Sequence, residues 1–223
     1  MFQIAMEDAS ISPNRINRAE NILFDKNGIS EDNKLQIGNL IWKNIRFFDG
    51  ELSGQQSDGK IGTSIFKDQI FKIDYCHNLF VIYDEMPDLK NYTSIPLTYK
   101  NKAIFIDIDN IINNKSYIHS FYLQSGYSGG LLYDNQFSDT NLLSGKLKII
   151  EEKILKNSYG QEIIIKQGVL PQMKIGDLQM ENVLAGFFTG DIKNQKYSLF
   201  GADLLKRFNW IFDVDRKIGI YSA

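Results

Sequence analysis

The sequence predicts a mostly β protein built as two related lobes, and three observations carry that prediction. Residues 61–75 (Ile-Gly-Thr-Ser-Ile-Phe-Lys-Asp-Gln-Ile-Phe-Lys-Ile-Asp-Tyr) recur without a gap in the stretch 200–215. Gly62 falls on Gly201, Lys67 on Lys206, Phe71 on Trp210 and Asp74 on Asp213, 139 residues apart. A second pair, Ile37-Gly38-Asn39-Leu40 with Asn44-Ile45 against Ile175-Gly176-Asp177-Leu178 with Asn182-Val183, repeats at 138 residues. A period this long indicates a duplicated lobe rather than a solenoid, and two lobes imply a cleft between them. The third observation is the dominance of short apolar runs rich in Ile, Phe, Tyr and Val, bounded by Asn, Asp, Gly and Lys, as half-buried strands are.

Taken in order, strands are predicted at 70–75, 79–83, 103–108, 147–150, 163–165 and 210–214. Asn157-Ser158-Tyr159-Gly160 is a turn signal and predicts a hairpin over 146–165, with Glu151-Glu152-Lys153 on its solvated face. Helical periodicity is scarce, with short helices expected at 12–23 after a Ser-Pro start, at 64–69 and at 202–208. Residues 85–94, with Met-Pro-Asp-Leu-Lys-Asn, interrupt the pattern and read as a linker between an N-terminal lobe, 1–84, and a C-terminal lobe, 95–223.

Composition bounds the function. With 223 residues and 43% apolar content, the chain is an ordinary globular length, one domain or two small ones. A net charge of −2 and no basic run argue against nucleic acid and anionic membrane as main partners. Cys76 stands alone, so no internal disulfide forms, and no apolar stretch approaches a membrane span. The first residues show no charged leader or cleavage pattern.

A Gly opening a short amphipathic helix, then a strand carrying an Asp, resembles the end of a lobe of the retropepsin-like and pepsin-like aspartic proteases. Phe200-Gly201-Ala202-Asp203-Leu204-Leu205-Lys206-Arg207-Phe208 with Ile211-Phe212-Asp213 matches that family's string, and Asp58-Gly59-Lys60-Ile61-Gly62 resembles its first-lobe counterpart. Two such lobes in one chain are similar to the bacterial two-lobed members, over nearly the whole sequence. The resemblance implies a two-lobed acid-protease fold, no cofactor, and an extended peptide as ligand.

Each lobe of that family opens with a strand ending in Asp-Thr/Ser-Gly. The matching string in the second lobe is Phe121-Tyr122-Leu123-Gln124-Ser125-Gly126, with Gln124 at the Asp position. In the first lobe the best register, through Phe2–Ala5, puts Ala5 at the Asp, Met6 at the Thr and Glu7 at the Gly. A shifted register makes Asp8 the remnant acid, at the cost of a charged Glu7 where an apolar residue usually precedes it. The family's mechanism needs two carboxylates about 3 Å apart sharing one proton. A glutamine and an alanine supply neither a general base nor a general acid. Ser125 retains the hydroxyl that hydrogen-bonds across the lobes, whereas Met6 cannot. The first lobe also lacks the strand that precedes the acid strand in the family. Either that strand has been lost or the true beginning is missing; a missing beginning leaves room for a secretion signal and, by the resemblance, for a secreted or cell-envelope location.

Other motifs have blander readings. Gly126-Tyr127-Ser128-Gly129-Gly130 approaches a nucleophile elbow, but an elbow needs a following helix and Leu131-Leu132-Tyr133 reads as strand. His77 and His119 lack the context of a catalytic histidine. Cys76 and His77 align with Asp215 and Arg216 and read as an exposed turn; two His and one Cys make a zinc site improbable. Asp107 and Asp109 are expected on an exposed edge, and Asp74 and Asp213 are expected to be structural.

The expected function is an inactive aspartic-protease homologue whose cleft holds an extended peptide or protein segment, with Met6, Glu7, Gln124, Ser125, Gly126 and the flap residue Tyr159 around it. The alternatives are residual endopeptidase activity through Asp8 or another chain's carboxylate, and a non-binding structural module. Two lobes in one chain make a monomer sufficient, while the bare first-lobe edge is open to a partner strand.

Overall fold

Segments dense in β-branched and aromatic residues extend into strands because such side chains pack well on a pleated surface. The computed structural model describes residues 2–5, 12–13, 22–49, 59–66, 68–101, 103–156 and 162–222. The strands are β1 (Phe2–Ala5), β2 (Ser12–Pro13), β3 (Ile29–Ile37), β4 (Leu40–Phe48), β5 (Gly59–Gly62), β6 (Ile70–Asp74), β7 (Leu79–Tyr83), β8 (Thr93–Lys100) and β9 (Ala103–Ile112). They continue as β10 (Lys115–Gln124), β11 (Leu131–Leu132), β12 (Lys148–Lys156), β13 (Glu162–Ile175), β14 (Leu178–Thr189), β15 (Ser198–Gly201), β16 (Asn209–Phe212) and β17 (Ile218–Ser222). The described helices are short: a 3-10 turn at Thr63–Phe66, α1 (Asn135–Thr140), α2 (Leu143–Lys146) and α3 (Ala202–Leu205).

By contacts the chain divides into two compact units, Met1–Lys67 and Asp68–Ala223. In the first, β5 lies between β1 and β2, and β3 pairs with β4. Leu35, Phe47, Ile61 and Phe66 are buried there, and Trp42 meets Phe66 edge-on at 6.0 Å. In the second, one sheet runs β12-β13-β14-β11-β15-β10-β9-β8-β17-β16-β6-β7. Its core includes Phe71, Phe121, Phe200, Trp210 and Phe212, all fully buried, with Phe71 stacked on Phe212 at 4.9 Å. Leu89 and Tyr92, in the loop between β7 and β8, pack against Ile70 and Ile211.

The repeat is present in the backbone. Both hairpins turn through a glycine in the left-handed region, Gly38 at φ +57° and Gly176 at φ +56°, closing Ile37 onto Leu40 and Ile175 onto Leu178. Six residues after each glycine, Asn44 and Asn182 take φ of +56° and +55°, which Asn tolerates better than most residues. β6 and β16 pair antiparallel, Phe71 with Phe212, Lys72 with Ile211 and Ile73 with Trp210. Because Phe71 corresponds to Trp210 and Ile73 to Phe212, this ladder maps onto itself about the Lys72–Ile211 pair, as a two-fold duplication requires.

Several expectations change. Ser12 and Pro13 pair with Lys60 and Gly59 as a strand, and residues 22–25 are not helical, so the helix over 12–23 does not form at either described end. The helix expected over 202–208 stops at Leu205, where the Trp210 indole N–H donates to the Leu205 carbonyl at 2.9 Å and fixes the chain's exit. Helices α1 and α2 were not foreseen. Asp134 accepts the Phe137 N–H at 2.8 Å and caps α1. Arg216 lies in the turn between β16 and β17, yet is only 6% exposed. Its guanidinium sits over the Phe71 ring, 4.6 Å from the centroid, and donates to the carbonyls of Gln69, Val214 and Asp213. Asp107 and Asp109 are not on an edge: β9 has β10 on one side and β8 and β13 on the other, and the two carboxylates lie on its more open face.

Candidate functional site

In the second unit β10 carries Phe121, Tyr122 and Leu123 through the core and delivers Gln124, half-buried, to the turn that follows. It runs parallel to β15 with Phe121 opposite Ser198 and Gln124 opposite Gly201. In the first unit β1 runs parallel to β5 with Phe2 opposite Gly59 and Ala5 opposite Gly62. Ala5 and Gln124 therefore share one register, each ending a strand opposite the glycine that opens the next short helical turn. Met6, Glu7, Asp8 and Tyr159 lie outside the described residues.

The turn after Gln124 is built from backbone contacts. The Tyr127 N–H donates to the Gln124 carbonyl at 3.2 Å, and the Gly126 N–H donates to Gln124 Oε1 at 3.1 Å. With its oxygen so engaged, the amide's NH₂ has no protein partner among the described residues. The loop then docks on the start of α3. Gly201 N–H donates to Gly130 O at 2.7 Å, Ala202 N–H to Tyr127 O at 2.7 Å and Asp203 N–H to Gly129 O at 3.2 Å. A Cβ at Gly201 would stand 2.2 Å from the Gly129 oxygen and 2.5 Å from Tyr127 Cδ1, so this approach requires glycine. Half-buried Tyr127 has its phenol pushed up by burial.

Ser128 is exposed and leads through Gly129 and Gly130 into strand β11, not into a helix. Both histidines are engaged elsewhere. His77 Nδ1 lies 3.0 Å from Asp74, and His119 Nε2 lies 2.9 Å from Asp134 Oδ2 and 2.8 Å from Ser198 Oγ. Asp74 is buried and pairs with Lys72 Nζ at 2.8 Å; that bond, with the His77 N–H, holds its carboxyl down at about 2. Cys76 lies in the turn between β6 and β7 and is exposed.

The His119–Asp134–Ser198 cluster went unforeseen. Its only sequence signal was a cap-type Asp ahead of Asn-Gln, since the three residues are brought together by β10, the α1 cap and β15. It is not a nucleophilic triad: one ring nitrogen faces both partners, and Ser198 is only 2% exposed. The Ser198 hydroxyl donates to Asp134 Oδ2 at 2.8 Å and accepts the Asp134 N–H at 2.8 Å. Burial lowers the His119 pKa, against the opposing pull of Asp134. A cavity of about 340 Å³ opens beside it, walled by His119, Asp134, Phe137, Asn141 and Lys196 among others.

An aspartic proteinase from Irpex lacteus superposes over 99% of this chain and 89% of its own, with a TM-score of 0.58 at 10% identity. The fold is that of the pepsin-like aspartic proteases. Basic 7S globulin from soybean shares this pepsin-like fold over 98% of this chain and 86% of its own, with a TM-score of 0.54 at 10% identity. A retropepsin-like aspartic protease from Rickettsia conorii aligns with 58% of this chain and 89% of its own, at 20% identity and a TM-score of 0.39. No protein-family model and no curated protein matches the chain.

Proposed function

We propose that this is a catalytically inactive protein of the pepsin-like fold that holds an extended peptide or protein segment, its two lobes being residues 1–84 and 95–223 joined by 85–94. The observation that carries the reading is the shared register of Ala5 and Gln124, opposite Gly62 and Gly201. Where the resemblance leads one to expect a pair of carboxylates, the sequence has a methyl group and an amide. Neither takes up or releases a proton over the working range of a carboxylate dyad, so attacking water has no base and the substrate carbonyl no acid. The same amide favours binding: with Oε1 held by the Gly126 N–H, the NH₂ of Gln124 is a donor for a peptide carbonyl. A fold shared with a protein named as a globulin, and not only with proteinases, is compatible with a role other than proteolysis.

The test is incubation of the full chain with a mixed peptide library from about pH 3 to pH 8, the range over which a carboxylate dyad titrates, read by mass spectrometry. No cleavage is expected at any pH, together with retention of a subset of peptides that Gln124→Ala weakens. Cleavage blocked by an aspartic-protease inhibitor would overturn the reading and point to Asp8 or to another chain. Absence of both cleavage and retention would leave a structural module.

A further inference from the structure

We infer that strand β12 is a self-complementary edge through which two copies of this chain pair antiparallel about Glu152.

β12 ends the twelve-strand order and pairs, among the described residues, with β13 alone. Its outward side chains are unusually apolar for an open edge: Ile150 is 50% exposed, Ile154 55% and Leu155 49%. Open edges are templates for further strands, and natural proteins blunt them with charges and bulges. β12 has both devices, a register shift between Ile149 and Glu151 and the run Glu151-Glu152-Lys153. The order of those charges is the informative part.

Read outward from Glu152, the strand is nearly its own mirror. Glu151 is matched by Lys153, Ile150 by Ile154 and Ile149 by Leu155. In an antiparallel pair of identical strands centred on Glu152, residues equidistant from the centre stand opposite each other on one face. Each Glu151 then meets the other copy's Lys153, twice per dimer, while the bulge takes Ile150 out of the regular ladder. These charges already attract within one copy, Lys153 Nζ lying 3.2 Å from Glu151. The central contact of Glu152 with itself is like-charged, but each Glu152 has Lys166 of β13 at 3.3 Å to neutralise it. An edge of this pattern repels strands with other charge orders and accepts its own copy through an isologous two-fold contact. The bulge at Ile150 keeps the ladder short, so the interface is small and the association weak.

Native mass spectrometry and sedimentation velocity on the full chain test this by charge exchange. Wild type is expected to dimerise reversibly by about 100 μM, in the range of small interfaces. Lys153→Glu sets Glu against Glu at two places and Glu151→Lys sets Lys against Lys, so each variant alone should lose association about tenfold or more. Mixed in equal amounts, the two restore both opposite-charge contacts and should form a one-to-one heterodimer. Both side chains are solvent-exposed, and circular dichroism of each variant should match wild type. A wild type still monomeric at about 1 mM overturns the inference, whether the edge is bare or takes an unrelated strand. So does a single variant that dimerises as wild type does, or a mixture with no heterodimer.

Discussion

Replacing Gly201 by Ala is the sharpest test of how the Gln124 turn is held. Gly201 has φ of −90°, available to any residue, so crowding alone demands glycine here. The new methyl would stand 2.2 Å from the Gly129 carbonyl oxygen, 2.5 Å from Tyr127 Cδ1 and 2.8 Å from the Tyr127 oxygen, whereas ordinary contact begins at 3.4 Å. The loop must retreat by roughly 1.2 Å, beyond what well-formed hydrogen bonds tolerate. Three backbone bonds cross that contact, from Gly201, Ala202 and Asp203 to Gly130, Tyr127 and Gly129. At about 1 kcal/mol each, their loss amounts to roughly 3 kcal/mol. For a chain of this size that lowers Tm by about 6–12 °C. Thermal and urea unfolding followed by circular dichroism measure it. Gly145→Ala is the control: it lies in α2 with nothing within 4 Å of the added Cβ, and should be neutral or stabilising by up to about 1 kcal/mol. A Gly201→Ala protein melting within about 1 °C of wild type would refute this account of the turn.

Further predictions concern the charged groups of the core and its rim. Arg216→Lys keeps the charge but loses the planar fork over Phe71 and its donors to Gln69 and Val214, and should cost about 1–3 kcal/mol in urea unfolding. Asp74 has its folded-state pKa depressed to about 2, so its contribution is intact above about pH 4 and is lost as pH falls through the folded value. The acid limb of stability between those limits should flatten in Asp74→Asn, as midpoints in a pH series would reveal. His119 has the opposite chemistry and the same direction: burial lowers its pKa, so the unfolded chain binds the proton first and stability falls as pH drops below about 6.5. Unfolding midpoints compared between about pH 7 and pH 5 should show that step in wild type and not in His119→Gln.

Much of the architecture was legible because it is written in local chemistry. The strings around Gly38 and Gly176, with Asn44 and Asn182 after them, and those around Phe71 and Trp210 repeat at nearly one spacing, and a repeated spacing needs no tertiary information to be seen. The Gln124-Ser125-Gly126 string was legible through its resemblance to the family's Asp-Thr/Ser-Gly. Less legible were elements whose conformation is set by distant partners. Ser12 and Pro13 follow a helix-start pattern but extend because β5 offers them a neighbour. Arg216 reads as a surface turn residue and is buried because the Phe71 ring and the Gln69 carbonyl, about 145 positions away, meet its guanidinium.

The sequence by itself determined the strand-rich class, the duplication and the residue types at Ala5 and Gln124, since periodicity and composition act over a few residues at a time. Only the tertiary structure decided which residues stand together: His119 with Asp134 and Ser198, Gly201 against Gly129, Ala5 opposite Gly62 and Gln124 opposite Gly201. Those contacts join elements up to 80 residues apart, and contacts at that separation are fixed by the free energy of the whole packed sheet rather than by any local preference.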